Sequence, residues 1–412
     1  MVLKKLYPHD RYVGSCAFSW SGAFFVTGSN DRNVSIFKWL HQHDEYYPKS
    51  LDFINYNIED DQRRSVLAGK EDAFLMRNEA KAHGSDINDA VFVNNSDLVT
   101  CSSDKTAKLW TCVHEDTIKE EPNRVLDERQ YAIYSMDFSV EKNLLLIASM
   151  DGVAKIWSTQ NWSLLAEINP PEGAAIRTCK FSTNAHLAVL AGDDDAAHLY
   201  NFCHDDFRLL KSFKSHEATI FFATFSHESS HLITGDNDGV LLSWKIKGEN
   251  SKPSFRVDDA HDLGVTSGAC STSQEMPYSI IVTGGNDCLL KVWKLHIKGQ
   301  NTGHLDNIKI LSGHGGIIMS VKFSNDGKVF ASTSGDKTCR LWHGANFLCL
   351  RVLEGHDRYV NCVAFSPLGD FVVTGSNDRS FNVWKLSGPL CNSNLRPTSG
   401  AVSTIHFLKT KV

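Results

Sequence analysis

The sequence lacks several features that would each assign it to a particular class of protein. No run of about 18 apolar residues occurs, and no apolar segment follows the lysines of the start, MVLKKLYPHD, so neither a membrane span nor a secretion signal is predicted. The 11 cysteines show no C-x-x-C spacing, and Cys16, Cys179 and Cys362 lie in apolar runs. We therefore expect a cytoplasmic protein with small buried cysteines, and a nuclear location stays open.

The sequence also has little net charge. Its 42 basic and 48 acidic residues leave a formal charge of −6, which disfavours a protein held to nucleic acid by phosphate neutralisation but is compatible with a local basic patch. No G-x-x-x-x-G-K-[ST] loop occurs, and no G-x-G-x-x-G opens a helix, so we expect no nucleotide and no other cofactor. Hydrophobic residues make up 42%, enough for a large core.

An internal repeat dominates what is present. Its mark is an aspartate followed six residues later by an aromatic residue. After a first interval of 73 residues, successive aspartates are 47, 43, 44, 49, 49 and 42 residues apart. The eight pairs are Asp31 with Phe37, Asp104 with Trp110, Asp151 with Trp157, Asp194 with Tyr200, Asp238 with Trp244, Asp287 with Trp293, Asp336 with Trp342, and Asp378 with Trp384.

Each repeat is predicted to form a small sheet of short strands. The stretch that begins at Tyr359, YVNCVAFSPLGDFVVTGSNDRSFNVWKL, alternates β-rich runs with turn signals and has no helical period. One such sheet cannot bury both of its faces, so the sheets must stack around an axis and close a ring. The charged, aperiodic stretch 41–70 explains the long first interval as an inserted loop.

The two ends of the chain indicate how the ring closes. VLKKLYPHDRYVGSCAFS near the N-terminus parallels CLRVLEGHDRYVNCVAFS, which begins at Cys349. The first strand, at about Val2 to Tyr7, is therefore expected to complete the last blade, whose other three strands come from about Tyr359 to Lys385. Loss of this two-segment clasp should open the ring.

These repeats resemble WD40 repeats, and the resemblance covers nearly the whole chain. It implies an all-β fold, a WD40 β-propeller, as a single domain over residues 1–386 with a C-terminal tail at 387–412. Eight blades are predicted, with seven blades and a displaced terminal unit as the alternative. The units lie near residues 9–39, 83–110, 129–157, 173–200, 216–244, 261–293, 314–342 and 356–384.

Part of the chain, from about Ala73 to Leu386, is similar to the propeller of the WD repeat, SAM and U-box domain-containing proteins. The phrases that carry this similarity are PPEGAAIRTCKFS, AHDLGVTSGAC, HDRYVNCVAF and TGSNDRSFNVW. The sequence continues for about 25 residues after the last repeat, too few for a SAM bundle or a U-box, so the ligase chemistry of that family is not expected here. The extra first unit resembles a duplicate of the last one.

Six units also carry a histidine and a hydroxyl residue upstream of the aspartate. The histidines are His9, His83, His216, His261, His314 and His356, and the hydroxyl residues are Thr27, Thr100, Thr234, Thr283, Ser332 and Thr374. A catalytic triad would occur once, whereas this set recurs with the blade, so we expect buried structural networks and no catalytic residues. Units three and four have Ile147 and Leu190 at the hydroxyl position, and those blades should be less rigid.

Two further motifs suggest metal binding. His227-Glu228-Ser229-Ser230-His231 matches the H-E-x-x-H zinc motif, but that chemistry needs a helix, and here the motif aligns with a turn between strands. Asp236 to Gly239 resembles part of a calcium loop, yet Lys247 stands where the final glutamate belongs. We therefore predict no metal site and no enzyme. A metal-dependent hydrolase and a nucleic-acid-binding propeller remain the alternative functions.

The favoured function is a scaffold that binds other proteins or peptides, with a link to ubiquitin transfer if the closer family similarity is meaningful. Loops that precede the first strand of each blade and loops that carry the aspartate turns should line one rim of the ring, where binding residues concentrate. The rim candidates are Arg11, Tyr12, Asn30, Tyr131, Arg177, Asn237, Asn286, Arg358, Tyr359 and Asn377.

Overall fold

The chain folds into a ring of eight blades. A computed structural model describes residues 2–22, 24–38, 76–79, 82–111, 122, 124–203, 206–248, 250–271, 278–297 and 303–386. These residues form 32 β-strands and no helix, and the strands pair into eight four-stranded antiparallel sheets. The prediction of an all-β propeller with eight blades is confirmed, and the seven-blade alternative is wrong.

Each blade uses four strands that follow one another along the chain, except the last. Blade 1 contains β2 (Val13–Phe18), β3 (Phe24–Ser29), β4 (Val34–Lys38) and β5 (Met76–Glu79); blade 2, β6 (Ile87–Phe92), β7 (Asp97–Ser102), β8 (Thr106–Thr111) and β9 (Arg124–Glu128); blade 3, β10 (Ile133–Ser139), β11 (Leu144–Ser149), β12 (Ala154–Ser158) and β13 (Leu164–Ile168); blade 4, β14 (Ile176–Phe181), β15 (Leu187–Gly192), β16 (Ala196–Cys203) and β17 (Asp206–Lys214).

Blade 5 contains β18 (Ile220–Phe225), β19 (His231–Asp236), β20 (Leu241–Lys245) and β21 (Phe255–Val257); blade 6, β22 (Val265–Cys270), β23 (Ser279–Gly285), β24 (Leu290–Leu295) and β25 (Leu305–Leu311); blade 7, β26 (Ile318–Phe323), β27 (Val329–Ser334), β28 (Thr338–His343) and β29 (Cys349–Glu354); blade 8, β30 (Val360–Phe365), β31 (Phe371–Ser376), β32 (Phe381–Lys385) and β1 (Val2–Leu6).

The first strands of the blades contact one another in sequence around a central channel, from β2 through β6 and onward to β30, which contacts β2 again. The hydrophobic core lies between neighbouring blades. For example, Phe330 and Trp342 of blade 7 pack against Val282 and Val292 of blade 6. Full burial of one such side chain contributes about 1.5–3 kcal/mol. Since the neighbouring blade provides this burial, each blade depends on its neighbours for stability.

Hydrogen bonds between neighbouring first strands fix the spacing of the blades. Asn361 of blade 8 donates through Nδ2 to the carbonyl of Val13 in blade 1 at 2.8 Å. Asn88 of blade 2 makes the equivalent bond to Ile133 of blade 3 at 2.7 Å. Each of these asparagines is the extra residue of the bulge that begins every first strand, and the bulge turns its side chain toward the next blade.

The N-terminal strand closes the ring, as predicted. β1 pairs antiparallel with β32, with Leu6 opposite Phe381. Lys5 Nζ donates to the carbonyl of Gly355 at 2.7 Å, and it lies 2.9 Å from Asp357 and 3.1 Å from Asp378. Burial opposes the charge of Lys5, but the hydrogen bonds to the two aspartates outweigh it and raise the lysine pKa. The clasp is thus held both by strand pairing and by the contacts of the Lys5 ammonium group with blade 8.

The proposed insertion at 41–70 and the tail at 387–412 lie outside the described residues. The side chains of eight cysteines are described, and all eight are free thiols; Cys179 is buried, as expected, whereas Cys16 and Cys362 are half-buried. No helix in the described ranges is long and apolar enough to cross a membrane.

Candidate interaction surface

Two sets of loops meet at one end of the ring, which we call the rim face. It consists of the loops before the first strand of each blade and the turns between the second and third strands. The residue before the turn aspartate donates its backbone N–H to the loop: Asn30 to Tyr12 at 3.1 Å, and Asn377 to Tyr359 at 2.8 Å. The predicted meeting of these loops is therefore present in the structure.

A buried polar network supports the rim face in six blades. Histidine Nδ1 lies 2.6 to 3.0 Å from an aspartate carboxylate, and histidine Nε2 lies 2.7 to 2.9 Å from a threonine or serine hydroxyl. In five of the six, the indole N–H of the blade's tryptophan donates to the same hydroxyl at 2.8 to 2.9 Å. Blade 1 has Phe37, which brings no donor.

The direction of these bonds follows from what each group can donate. In blade 2 the Trp110 N–H can only donate to Thr100, so the hydroxyl hydrogen is free to bond His83 Nε2, and His83 Nδ1–H then donates to Asp104. Burial lowers the pKa of His83, which favours this neutral ring. Burial alone would raise the pKa of Asp104, but hydrogen bonds from His83 and Thr106 hold it well below its usual value.

Blade 5 departs from the sequence-based assignment of its aspartate. The predicted network member was Asp238, but Asp236 occupies that role and lies 2.6 Å from His216 Nδ1. Its other oxygen accepts the N–H groups of Asp238 at 3.1 Å and Val240 at 2.8 Å, while the Asp238 residue is exposed. Because Asp236 stands where blade 8 has Ser376, its carboxylate reaches the histidine from two residues upstream. The supposed calcium loop is this hydrogen-bonded turn.

Blade 3 replaces the histidine network with charged groups. The Arg129 guanidinium donates to Asp127 at 2.6 Å and lies 3.4 Å from Asp151, and Lys155 donates to Asp127 at 2.8 Å. The indole N–H of Trp157 is buried and has no hydrogen-bond partner among the described residues.

Blade 4 uses a histidine from within its third strand. His198 Nε2 lies 2.5 Å from Asp194, and its Nδ1 lies 2.8 Å from the Ser212 hydroxyl. The buried hydroxyl of Tyr200 is left without a described partner, and burial raises its pKa to about 12. Blades 3 and 4 thus lack the histidine and hydroxyl network, as expected. In its place they have polar contacts made by other residues, which the comparison of the repeats did not reveal.

The H-E-x-x-H motif adopts the turn geometry expected of it. Residues His227 to Ser230 connect β18 to β19, and His231 is the first residue of β19. Ser229 adopts a positive φ of 51° and donates its N–H to the carbonyl of Ser226. Burial lowers the pKa of His231 to about 4. No group of three or more side chains suited to metal binding occurs in the described part of the chain.

The largest rim candidates are exposed on the rim face. The tyrosines Tyr12, Tyr131 and Tyr359 are 43%, 57% and 48% exposed, and Arg11 and Arg358 are also exposed. Aromatic side chains held on rigid loops bury much area upon binding at little entropic cost. This end of the ring therefore carries the side chains that protein interfaces favour.

Arg177 is held by other residues of the rim face. Its guanidinium forms two hydrogen bonds of 2.7 Å with the carboxylate of Asp193. It also lies 5.9 Å from the ring centroid of Tyr134. The hydrogen bonds to Asp193 raise the pKa of Arg177, so its charge is largely compensated within the molecule.

The four asparagines have different environments. Asn237 is exposed, whereas Asn30 is buried beneath its loop. Asn286 donates through Nδ2 to a loop carbonyl of blade 6 at 2.7 Å, and the Asn377 oxygen accepts from Asn361 at 2.7 Å. Three of the four thus contribute to the order of the loops, and Asn237 presents its amide to solvent.

Three exposed apolar residues on the rim face were missed from the sequence. Tyr134 and Phe221, each the second residue of a first strand, are 41% and 43% exposed, and Leu263 in the loop before β22 is 64% exposed. Aligning the blades could have found two of them, because Tyr134 and Phe221 stand where blades 2 and 8 have the polar residues Asn88 and Asn361.

A cavity of about 620 Å³ opens into the central channel beside blades 3 to 7. Phenylalanines from β14 and β18 line part of its wall, and charged side chains line the rest. Lys180 donates to Asp137 there, and Lys322 adds a second ammonium group. The described wall of this cavity is therefore partly aromatic and partly charged.

The fold and the rim face define the class: a β-propeller that presents loops of eight blades on one rigid face. The family model of the WD domain, G-beta repeat, matches residues 1–38, 77–111, 120–158, 207–245, 305–343 and 347–385, more than half of the chain. The chain belongs to the WD40 repeat family, whose propellers are scaffolds for protein interactions.

Relatives support both the family and the closer similarity. A segment of 231 residues is 27% identical to the guanine nucleotide-binding protein subunit beta of Solanum tuberosum and covers 53% of this chain and 58% of that protein. A segment of 267 residues is 29% identical to WD repeat, SAM and U-box domain-containing protein 1 of Homo sapiens, covering 62% of this chain and 53% of that protein. The predicted resemblance is confirmed, and the chain spans little more than half of these relatives.

A solved structure shows the same architecture. The crystal structure of the computationally designed Ika8 protein superimposes with a TM-score of 0.69 and 21% sequence identity, covering 93% of this chain and 99% of that one. At this identity the likeness concerns the fold alone.

Proposed function

We propose that this protein is a non-enzymatic adaptor that binds other proteins or peptides through its rim face. The observation that carries this proposal is the cluster of exposed aromatic and arginine side chains on loops that buried networks hold rigid, among them Tyr12, Tyr359 and Arg358. A rigid surface binds without the entropic cost of ordering its loops. The proposed location is the cytoplasm, where the free thiols would persist.

A finer proposal places the adaptor in ubiquitin transfer, as a component that recognises substrates. Its support is the 29% identity to a human protein whose name includes a U-box. In this proposal the propeller supplies the recognition of the substrate. Recovery of ubiquitin-pathway enzymes by proximity labelling would support it, and their absence among reproducibly labelled proteins would contradict it.

The proposed binding face can be tested by a matched pair of double variants. Arg358→Ala with Tyr359→Ala removes a cation and an aromatic group from the rim face of blade 8. Lys328→Ala with Leu368→Ala removes a cation and an exposed apolar group from turns at the opposite end of the ring, where Leu368 is 81% exposed. Affinity capture with mass spectrometry would compare both with the unmodified protein.

We expect the rim-face variant to lose its principal partners and the opposite-face variant to retain them. Far-UV circular dichroism and the thermal midpoint should be unchanged in both, because neither pair belongs to the buried networks. Equal capture by all three proteins would remove the rim face of blade 8 from consideration.

A further inference from the structure

The rim face carries an uneven distribution of charge. In each blade, the residue just after the turn aspartate adopts a positive φ. In blades 7, 8, 1 and 2 this residue is basic: Lys337 (φ 74°), Arg379 (φ 70°), Arg32 (φ 77°) and Lys105 (φ 77°). In blades 3 to 6 the same place is taken by Gly152, Asp195, Gly239 and Cys288. None of the latter is basic.

The backbone does not explain the basic residues. A positive φ favours glycine, because a Cβ crowds the preceding carbonyl in this region and costs about 1 kcal/mol or more. Blades 3 and 5 have the glycine that this geometry favours, and the same backbone hydrogen bond closes the turn, from Gly152 to Ser149 at 3.2 Å and from Arg379 to Ser376 at 3.2 Å. Four basic side chains at a position where glycine is preferred therefore point to a use of the side chains themselves.

The four basic turns are neighbours around the ring. β26 of blade 7 contacts β30 of blade 8, β30 contacts β2 of blade 1, and β2 contacts β6 of blade 2. Arg358 and Arg11, in the loops of blades 8 and 1, lie on the same face within this stretch. We call the six side chains the basic arc: Arg11, Arg32, Lys105, Lys337, Arg358 and Arg379.

The charges of the basic arc are available for binding. All six residues are exposed, and none forms an ion pair with a residue that the structure describes. The aspartates of the four turns do not neutralise them, because each carboxylate is directed into its histidine network, as Asp378 is toward His356 at 3.0 Å. The loops of blades 8 and 1 also carry the exposed carboxylates Asp357 and Asp10, of which Asp357 is paired with Lys5 at 2.9 Å, so the six basic groups outnumber them.

The opposite half of the rim face is acidic. Glu217, Asp238 and Asp262 are exposed in the loops and turns of blades 5 and 6, and Asp195 is half-buried in the turn of blade 4. A charged partner is therefore attracted to one half of the face and repelled by the other, which sets its position as well as its affinity. The overall charge of −6 conceals this local separation.

We propose that the basic arc binds an acidic segment of a partner protein, one rich in aspartate or glutamate, laid across blades 7, 8, 1 and 2. This inference rests on the proposed adaptor function and specifies the chemistry of its partner. Tyr12 and Tyr359, which lie in the same loops as Arg11 and Arg358, supply apolar contacts between the cations. A flexible acidic segment suits an arc that follows the curve of the ring.

The test uses peptides and a variant chosen to leave the turns intact. The variant carries Arg32→Gly, Lys105→Gly, Lys337→Gly and Arg379→Gly, which remove four charges while providing the residue that a positive φ prefers. The control carries Lys247→Ala, Lys252→Ala, Lys309→Ala and Lys328→Ala, which remove four exposed charges that lie away from the rim face. The probe is a fluorescein-labelled dodecapeptide with Glu-Glu-Gly-Tyr repeated three times, and circular dichroism verifies folding.

Fluorescence anisotropy at about 0.1 M salt should show binding of the acidic peptide by the unmodified protein and the control. The arc variant should bind it at least about tenfold more weakly, a change equivalent to about 1.4 kcal/mol. The inference is overturned if the unmodified protein does not bind the peptide, if the control weakens equally, or if a short DNA duplex of equal charge binds more tightly than the peptide.

The same variants separate the two proposals. Partner capture that is lost in the Arg358/Tyr359 variant but retained in the arc variant would leave the adaptor function standing and overturn the acidic partner. Capture retained in both variants would overturn the rim face as the binding surface. Capture lost in both, with the off-rim control intact, supports both proposals.

Discussion

The exchange of aspartates in blade 5 offers a sharp test of how the buried networks are built. Asp236 accepts three hydrogen bonds and Asp238 is exposed, so Asp238→Ala should change the free energy of unfolding by no more than about 0.5 kcal/mol. Asp236→Ser reproduces the arrangement of blade 8, where Ser376 precedes Asp378. We expect Asp238 to turn inward in that variant and to limit the loss to about 1 kcal/mol.

The double variant Asp236→Ser with Asp238→Ala removes both carboxylates. It leaves His216 Nδ1 and the Val240 N–H buried without an acceptor, at about 1–3 kcal/mol for each group. The expected loss is about 3 to 5 kcal/mol, well above the sum of the two single changes, which is the mark of one residue replacing the other.

Urea denaturation followed by tryptophan fluorescence would measure these differences, because Trp244 donates to Thr234 in the same network. Hydrogen exchange of β19 and β20 would place the effect in blade 5. The reasoning is refuted if Asp238→Ala alone costs as much as the double variant, or if the two single changes add to the double.

Three other predictions concern stability. Deletion of Val2–Leu6 exposes β32 as the edge of blade 8. The deletion should lower the thermal midpoint, measured by calorimetry, and promote association through β32, measured by light scattering. The folded pKa of His231 is lowered to about 4, so the unfolded state binds a proton first as pH falls from 6.5, and up to about 3 kcal/mol of stability is lost by pH 4. His231→Leu, which places an apolar residue as other blades do, should remove that part of the pH dependence, and an unchanged urea midpoint profile between pH 7 and 4 would contradict this. Blades 3 and 4, which contain the unpaired Trp157 and Tyr200 groups, should exchange backbone hydrogens faster than blades 5 to 8; the greatest protection in blades 3 and 4 would contradict this.

Much of the fold could be predicted because its signals are periodic. The spacing of aspartate and aromatic residues gave eight blades, and the parallel between Lys5-Leu6 and the strand before Gly355 predicted the clasp. The six histidine networks followed from the recurrence of three residue types in phase. Each of these predictions uses a pattern that recurs in several blades, so one blade that departs from the pattern does not obscure it.

The remaining details depend on individual side chains that break the period. Asp236 could not be separated from Asp238 by spacing, because either carboxylate is long enough to reach the histidine. His198 reaches the network position from within a third strand, where other blades have no such residue. Arg129 stands where other blades have the network histidine, but it joins Asp127 and Lys155 in a charged cluster that no other blade has among its described residues. The basic arc became visible only when the ring order placed blades 7, 8, 1 and 2 side by side, since Lys337 and Lys105 are far apart in sequence.

The clasp also determines when the protein can finish folding. Phe381, which pairs with Leu6, follows it by 375 residues. At about 5–20 residues per second, the ribosome delivers Phe381 roughly 20–75 s after Leu6. Throughout that interval the first strand has no partner and the growing stack of blades has two open sides. The last strand made is therefore the one that gives the first strand its place, and until then the unpaired edge of β1 is open to pairing with other chains.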